Sequence, residues 1–466
     1  MPSPQPSLRT DDAVRFIEQQ SFPAASSART AANAANGATS GSPVLCGLEI
    51  EWLTTPLGMP DEHIPVDTAQ ALGEIAGELP AGSKVTLEPG GQIELSSPPG
   101  TPDQVCLAMA QDTAAARQRL TGAGIDMLSL GLDPVRPERR ILEAPRYVAM
   151  EQFFDRGGPD GRSMMCASAS VQVNLDLGPP KEHKHRWRTA NLLGPVLGAA
   201  FANSPFRHGA PSGWRSSRAA VWRGLDLSRT SPVPLNDERT ENAPNAWARY
   251  ALNAQVMLVR EPSGAFLPGL DHLTFGAWMA RGHALGFPDE DDLGYHLTTL
   301  FPPVRPRGWL ELRFIDALPE PWWRVPLLVA AALVCDPEAS DTAQRVTAPA
   351  ANLWVESARH GLDHPILNQT AQECFNAALQ ALPRIGADAA AQATVAAYTD
   401  RYVAHGRCPA DDLLDAWADT GSCYAGVDPH PLAHPPAHAG PPQGPQNQSQ
   451  TDPRPAHESR ERVWTA

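Results

Sequence analysis

The segment LCGLEIEWL, residues 45–53, places two carboxylates two positions apart in an otherwise apolar run. Side chains alternate along an extended strand, so Glu49 and Glu51 share one face while Leu48, Ile50 and Trp52 take the other. Three more segments repeat this division. In GGQIELSS, Gln92, Glu94 and Ser96 lie opposite Ile93 and Leu95, with Glu88 just ahead of the Pro89-Gly90-Gly91 turn. In ASVQVNLDLG, Gln172, Asn174 and Asp176 lie opposite Val171, Val173, Leu175 and Leu177; in GWLELRFID, Glu311 and Arg313 lie opposite Leu310, Leu312 and Phe314.

Any one of these segments is explained by an amphipathic strand with a wet face. As a group they are unusual, because solvated faces favour Lys, Thr and Ser, whereas these carry Glu, Gln and Asn with a single basic residue. Converging carboxylates repel one another unless a proton or a cation joins them. Magnesium suits such a set: it is hard, takes oxygen ligands, and is often held by a few carboxylates together with substrate phosphates. The residues therefore point to a Mg2+–nucleotide site. Neither GxxxxGK[ST] nor a strand-to-helix GxGxxG occurs, so arginines and metal ions, and not a glycine loop, would hold the phosphates. HGAPSGWRSSRAAVWRGLD supplies candidates in Arg215, Arg218 and Arg223, interleaved with Trp214 and Trp222. A guanidinium fork fits carboxylate or phosphate; the competing explanation is a solvated basic helix face.

Positioning these groups requires a sheet within a sizeable core. A chain of 466 residues, 42% hydrophobic, can bury one large core or two modest ones. The short strands are separated irregularly by helical stretches, predicted over about 104–124, 184–200, 324–335, 345–360, 370–384 and 388–405. That spacing argues against a doubly wound sheet and for an α+β fold, an antiparallel sheet with helices packed around it. Residues 44–427 read as one catalytic domain. Residues 1–43 read as a partly flexible arm with one short helix near Asp11–Gln20, and 428–466, rich in Pro and His, as a disordered tail. The net charge of -15 argues against nucleic acid or an acidic membrane surface as partner. No run of 18 apolar residues or signal segment appears, and seven cysteines without a CxxC pair suit a cytoplasmic protein in which they are small buried residues.

Taken in order, GLEIEW, TLEPGGQIELSSPP, SASVQVNLD, FANSPFRHGAPSGWRSSRAAVW and HLTTLFPPVRPRGWLELRFIDALP resemble the ATP-dependent glutamate-cysteine ligases, in particular the plant-like and actinobacterial branch that includes the ergothioneine-pathway enzymes. The resemblance covers roughly residues 44–360. It implies a glutamine synthetase-like core, a curved antiparallel sheet forming a funnel with metals at its centre. It also implies metal ligation by Glu49, Glu51, Glu94 and Glu311, with Glu88 assisting. Gln172 would belong to the metal or nucleotide shell, Asn174, Arg215 and Arg218 would contact substrate carboxylate or phosphate, and Arg313 would sit beside the transferred phosphoryl group.

The reaction so implied joins the γ-carboxylate of L-glutamate to the amine of L-cysteine through a γ-glutamyl phosphate, using ATP and Mg2+. Arg313 and Arg218 would be the catalytic arginines, and Glu311→Gln would be expected to abolish ADP formation while sparing the fold. A γ-glutamyl ligase for another amine, a nonenzymatic binding protein on the same fold and a carboxylate-pair hydrolase are the alternatives. The sequence does not define an oligomeric state.

Overall fold

The computed structural model describes residues 8–24, 43–234, 242–261, 265–269, 272–284 and 286–427. The tail expected over 428–466 and most of the arm's Ala/Ser/Asn stretch lie outside these residues. Seven strands form one sheet: β1 (Cys46–Pro56), β2 (Lys84–Leu87), β3 (Ile93–Ser96), β4 (Ile125–Leu128), β5 (Ser170–Asp176), β6 (Val304–Pro306) and β7 (Trp309–Asp316). Their order is β6-β7-β5-β1-β3-β2, with β4 pairing the far end of β1, and every pairing is antiparallel. The α+β class expected from the spacing is what the chain adopts.

Alternation sends the apolar residues of these strands into the core. Leu48, Ile50, Leu95, Val171, Val173, Leu175, Leu310 and Leu312 are all within 1% of complete burial. Against them pack the helices His183–Ala200 and Arg324–Cys335, the second of which buries every residue from Val325 to Cys335. Complete burial of a Leu or Val side chain contributes about 2 kcal/mol, so this two-sided pairing of sheet and helix is the main anchor of the strands.

Departures from the sequence expectation have local causes. The helix expected over 345–360 is two, Pro337–Thr347 and Trp354–His360, because Pro349 cannot donate to a continuing helix and the chain turns through a short 3-10 segment at Ala348–Ala350. On β7 the alternation fails after Leu312: the register to β5 slips between Leu312 and Ile315, so Ile315 enters the core where Phe314 was expected. Such an irregularity re-aims the residues within it, here Arg313 and Phe314. The N-terminal helix Thr10–Ser21 is docked, with Ala13 and Ile17 completely buried in the core that includes the helix Ala243–Asn253.

Candidate active site

The register places the polar faces of the strands side by side. Glu51 pairs across β1 and β3 with Glu94, Glu49 pairs across β1 and β5 with Gln172, and Asn174 of β5 stands opposite Glu311 of β7. Glu88 joins them from the β2–β3 turn. Gly90 is required there because a Cβ would lie 2.2 Å from the backbone oxygen of Cys166, and Gly91 adopts φ +87°. Apart from Asn174, these polar side chains line a cavity of about 1180 Å³ that is also lined by Arg146, Tyr147, Trp222, Arg218, Arg305, Arg307 and Arg313.

Carboxylate oxygens of Glu51, Glu88 and Glu94 all approach within 4.8 Å of one another. Ser170 Oγ and Gln172 Nε2 each donate to Glu51 at 3.0 Å, while Thr86 Oγ1 donates to Glu94 at 2.7 Å. These bonds orient the carboxylates without neutralising them. Burial raises the Glu51 and Glu94 carboxyls above the ordinary range. Glu88 is pushed up to about 8 by burial and then by Glu51 and Glu94, and Glu49 to about 7 by burial and then by Glu311 and Glu94. A set of hard oxygen donors that holds too much negative charge for its surroundings fits a bound divalent cation such as Mg2+.

Glu311 has a different environment. Arg305 grips it through two bonds, Nε to Oε2 at 2.5 Å and Nη2 to Oε1 at 3.1 Å, with Arg313 at 3.3 Å and Arg307 at 3.4 Å. Burial alone would raise its carboxyl, but Arg305 and Arg313 outweigh burial and hold it at about 2. Burial lowers Arg305 to about 10, so both partners stay charged at neutral pH. Glu311 is therefore also a structural partner of a buried arginine, and its substitution cannot be expected to spare the fold.

Arg218 and Arg313 line the same cavity as the acidic group. Arg313 Nη1 donates to Gln172 Oε1, and its guanidinium lies 5.9 Å from the Trp222 ring and 5.8 Å from Phe301. Arg218, whose own charged form is disfavoured by burial, donates through Nη2 to the Arg313 carbonyl at 2.9 Å and faces Asp316 at 3.9 Å. Asp316 in turn accepts from the Asn203 backbone at 2.9 Å, Ser204 Oγ at 2.7 Å and Ser216 Oγ at 2.9 Å, which fixes the start of the helix Ser217–Arg223 that carries Arg218.

Of the residues singled out from sequence, Glu49, Glu51, Glu88, Glu94, Gln172, Arg218, Glu311 and Arg313 line this one cavity. Asn174 is in an adjoining cavity, tied to Glu49 by Nδ2 to Oε1 at 2.9 Å. Arg215 is not brought in: its Nε pairs with Asp411 at 2.6 Å and its backbone N–H donates to the Ala358 carbonyl. Gln92 also lines the acidic cavity, with its Nε2 donating to the Ser168 carbonyl at 2.9 Å. Arg305, Arg307, Arg146, Tyr147 and Asp316 were not singled out. Arg305 was within reach of the pattern, since a hairpin turning at Arg307-Gly308 sets it directly across from Glu311.

The glutamate-cysteine ligase family 2 (GCS2) profile matches residues 45–430. A glutamate-cysteine ligase, EgtA, of Mycolicibacterium smegmatis is 41% identical over 374 residues, 79% of this chain and 86% of that protein. The chloroplastic glutamate-cysteine ligase of Arabidopsis thaliana is 29% identical over 375 residues, 76% of this chain and 70% of that protein. Among solved structures, the Francisella tularensis glutamate-cysteine ligase in complex with AMP superposes with a TM-score of 0.50 at 11% identity, covering 81% of this chain and 85% of that one, a likeness of fold. With a family match spanning the whole sheet and every wall of the acidic cavity, the chain belongs to glutamate-cysteine ligase family 2.

Proposed function

We propose that this protein ligates the γ-carboxylate of L-glutamate to the amine of L-cysteine at the expense of ATP, giving γ-glutamylcysteine, ADP and phosphate. The observation that carries the reading is the cavity in which Glu51, Glu88 and Glu94 converge and which Arg218, buried, and Arg313, partly buried, also line. A free carboxylate is a poor acyl donor, so an oxygen of the γ-carboxylate attacks the γ-phosphorus, ADP departs, and an acyl phosphate forms. The cysteine amine then attacks the acyl carbon, phosphate leaves with the acyl oxygen it had esterified, and the ammonium proton passes to solvent.

Arg313 is placed to offset charge on the transferring phosphoryl group, because its partly buried guanidinium is held by Gln172, two aromatic rings and Glu311 and needs no reorganisation. Arg218 sits where a substrate carboxylate can exchange for part of its pairing with Asp316. Glu51, Glu88 and Glu94 would hold one Mg2+, with Glu49 and Glu311 ligands on the nucleotide side. Bound there, such ions supply neutralisation of phosphate charge and alignment of the acceptor oxygen. The side chains of Trp222 and Phe301 help exclude water, which would otherwise hydrolyse the acyl phosphate.

The greater likeness to the mycobacterial than to the chloroplastic relative supports a role in the ergothioneine branch. Free, mostly buried cysteines support a cytoplasmic setting. Among the described residues, no helix is long and apolar enough to cross a membrane. The test is ADP release with Mg2+ and ATP, adding L-glutamate, L-cysteine or both, with mass analysis of the product. Release that requires both amino acids and yields γ-glutamylcysteine is the expected result. Release with a different amine would move the acceptor, and silence across a panel of amines would overturn the ligase reading.

A further inference from the structure

Three cavities adjoin in a row. The acidic one shares Arg218, Trp222, Phe301 and Arg313 with a neighbour of about 620 Å³ whose lining is mostly apolar, and it shares Glu49 and Arg307 with a third of about 1050 Å³ on the other side. The row has the polarity an ATP-dependent ligation needs, with phosphate chemistry in the middle and one substrate entering from each end. The guanidiniums of Arg218 and Arg313, each fixed by hydrogen bonds, mark the first neighbour as the amino-acid side. The third cavity has a half-exposed indole, Trp309 at 38%, with Asn174, Asp176 and Ser97 around it. An aromatic face beside amide, carboxylate and hydroxyl groups suits a nucleobase and its ribose. Arg307, whose guanidinium lies 5.4 Å from the Trp309 ring and 3.4 Å from Glu311, spans the passage through which the phosphate chain must run.

The outer wall of this third cavity comes from a part of the chain that the family match at 45–430 does not include. Gln20 and Pro23, at the end of the N-terminal helix, line it. The Gly308 N–H donates to the Ser21 carbonyl at 3.0 Å, directly in the turn between Arg307 and Trp309, and Pro23 lies against Gly308. Trp247 Nε1 donates to Ser21 Oγ at 2.9 Å, and Phe22 packs edge-on to Trp187 at 5.6 Å, so the clamp is itself anchored in the core. The chain of contacts runs from Ile17, completely buried, through Ser21 to Gly308 and then to both nucleotide-facing side chains.

We propose that the N-terminal helix Thr10–Ser21 and the residues to Pro23 are a working part of the site: they complete the cavity that takes the nucleobase and ribose of ATP, and they position Arg307 and Trp309. Trp309 is the contact residue, and Ile17 and Ser21 are positioning residues. The proposal rests on the ligase reading for the identity of the nucleotide.

The experiment measures KM for ATP, glutamate and cysteine separately, and calorimetric binding of Mg2+–ATP without amino acids, in Trp309→Ala, Trp309→Phe and Ile17→Ala. Loss of one base–aromatic stack predicts a rise of roughly 5- to 100-fold in KM and Kd for ATP in Trp309→Ala, with most of it recovered in Trp309→Phe. Ile17→Ala is expected to raise the same two quantities by a smaller factor, leaving the amino-acid KM values within about twofold, since of the three cavities the helix lines only the nucleotide one. Unchanged ATP affinity in Trp309→Ala, or a uniform rise in all three KM values in Ile17→Ala, would overturn the proposal while product formation by the unaltered protein leaves the ligase reading standing. If the unaltered protein binds ATP but makes no γ-glutamyl product, the ligase reading falls, and the binding titrations alone decide the role of the helix.

Discussion

Replacing Glu88 by Gln should stabilise the metal-free protein and abolish its response to Mg2+. Glu88 is half-buried at the cavity wall, and burial, with Glu51 and Glu94, pushes its carboxyl up to about 8. A carboxyl whose folded-state pKa is raised favours the fold fully below the unfolded pKa, and the contribution is lost as pH rises toward the folded value. Between the ordinary carboxyl range and pH 7 the loss amounts to about 3.5 kcal/mol at most, from about 1.4 kcal/mol per pH unit. Solvent in the cavity and relaxation of the neighbouring carboxylates reduce this to about 1–2 kcal/mol. Glu88→Gln removes the ionisation and so should raise the melting temperature in EDTA by about 1–4 °C at pH 8, with a smaller gain at pH 5. In the unaltered protein Mg2+ should raise the melting temperature at pH 8; in the variant that shift should vanish. A variant that melts lower than the parent in EDTA, yet keeps the full Mg2+ shift, would refute the view of Glu88 as one of three mutually repelling ligands.

Glu311→Gln acts in the other sense: it leaves Arg305 buried without its carboxylate and should cost about 3–5 kcal/mol, seen as an earlier denaturant midpoint, together with loss of ADP formation. Arg218→Lys retains the charge but loses the fork, and should raise KM for glutamate at least about tenfold with KM for ATP little changed in initial-rate assays. Asp316→Asn weakens the bonds that seat Arg218 and should lower stability by about 2 kcal/mol while moving KM for glutamate in the same direction as Arg218→Lys; equal KM values would separate Asp316 from the site. Because Glu49 and Glu88 rise to about 7 and about 8, binding of Mg2+ at neutral pH should release protons, measurable as a buffer-dependent heat in calorimetry and absent at pH 9.

Much of the candidate site was legible in the strands themselves. A period of two cannot place Leu48, Ile50 and Trp52 in a core without aligning Glu49 and Glu51 on the other face, and the same constraint applies to Glu94 and Gln172. Local alternation says nothing about which distant strands become neighbours, so the direct pairing of Glu51 with Glu94 and of Glu311 with Asn174 depended on the sheet order. Nor does it reveal where alternation ends. The slip at Arg313–Phe314 follows from fitting β7 to β5 while Arg313 N–H bonds the Pro303 carbonyl.

The sequence by itself determined the polar and apolar faces, the oxygen-rich donor set and the absence of a glycine phosphate loop, because these depend on residue type and short spacing. Only the tertiary structure decided that Arg215 serves Asp411 while Arg218, three residues on, enters the cavity, since one helical start bonded to Asp316 fixes which of the two points inward. It alone brought the N-terminal helix to the Arg307–Trp309 turn, a meeting of segments nearly three hundred positions apart that rests on the burial of Ile17 and the bond between Ser21 and Gly308, neither of which leaves a local trace in the chain.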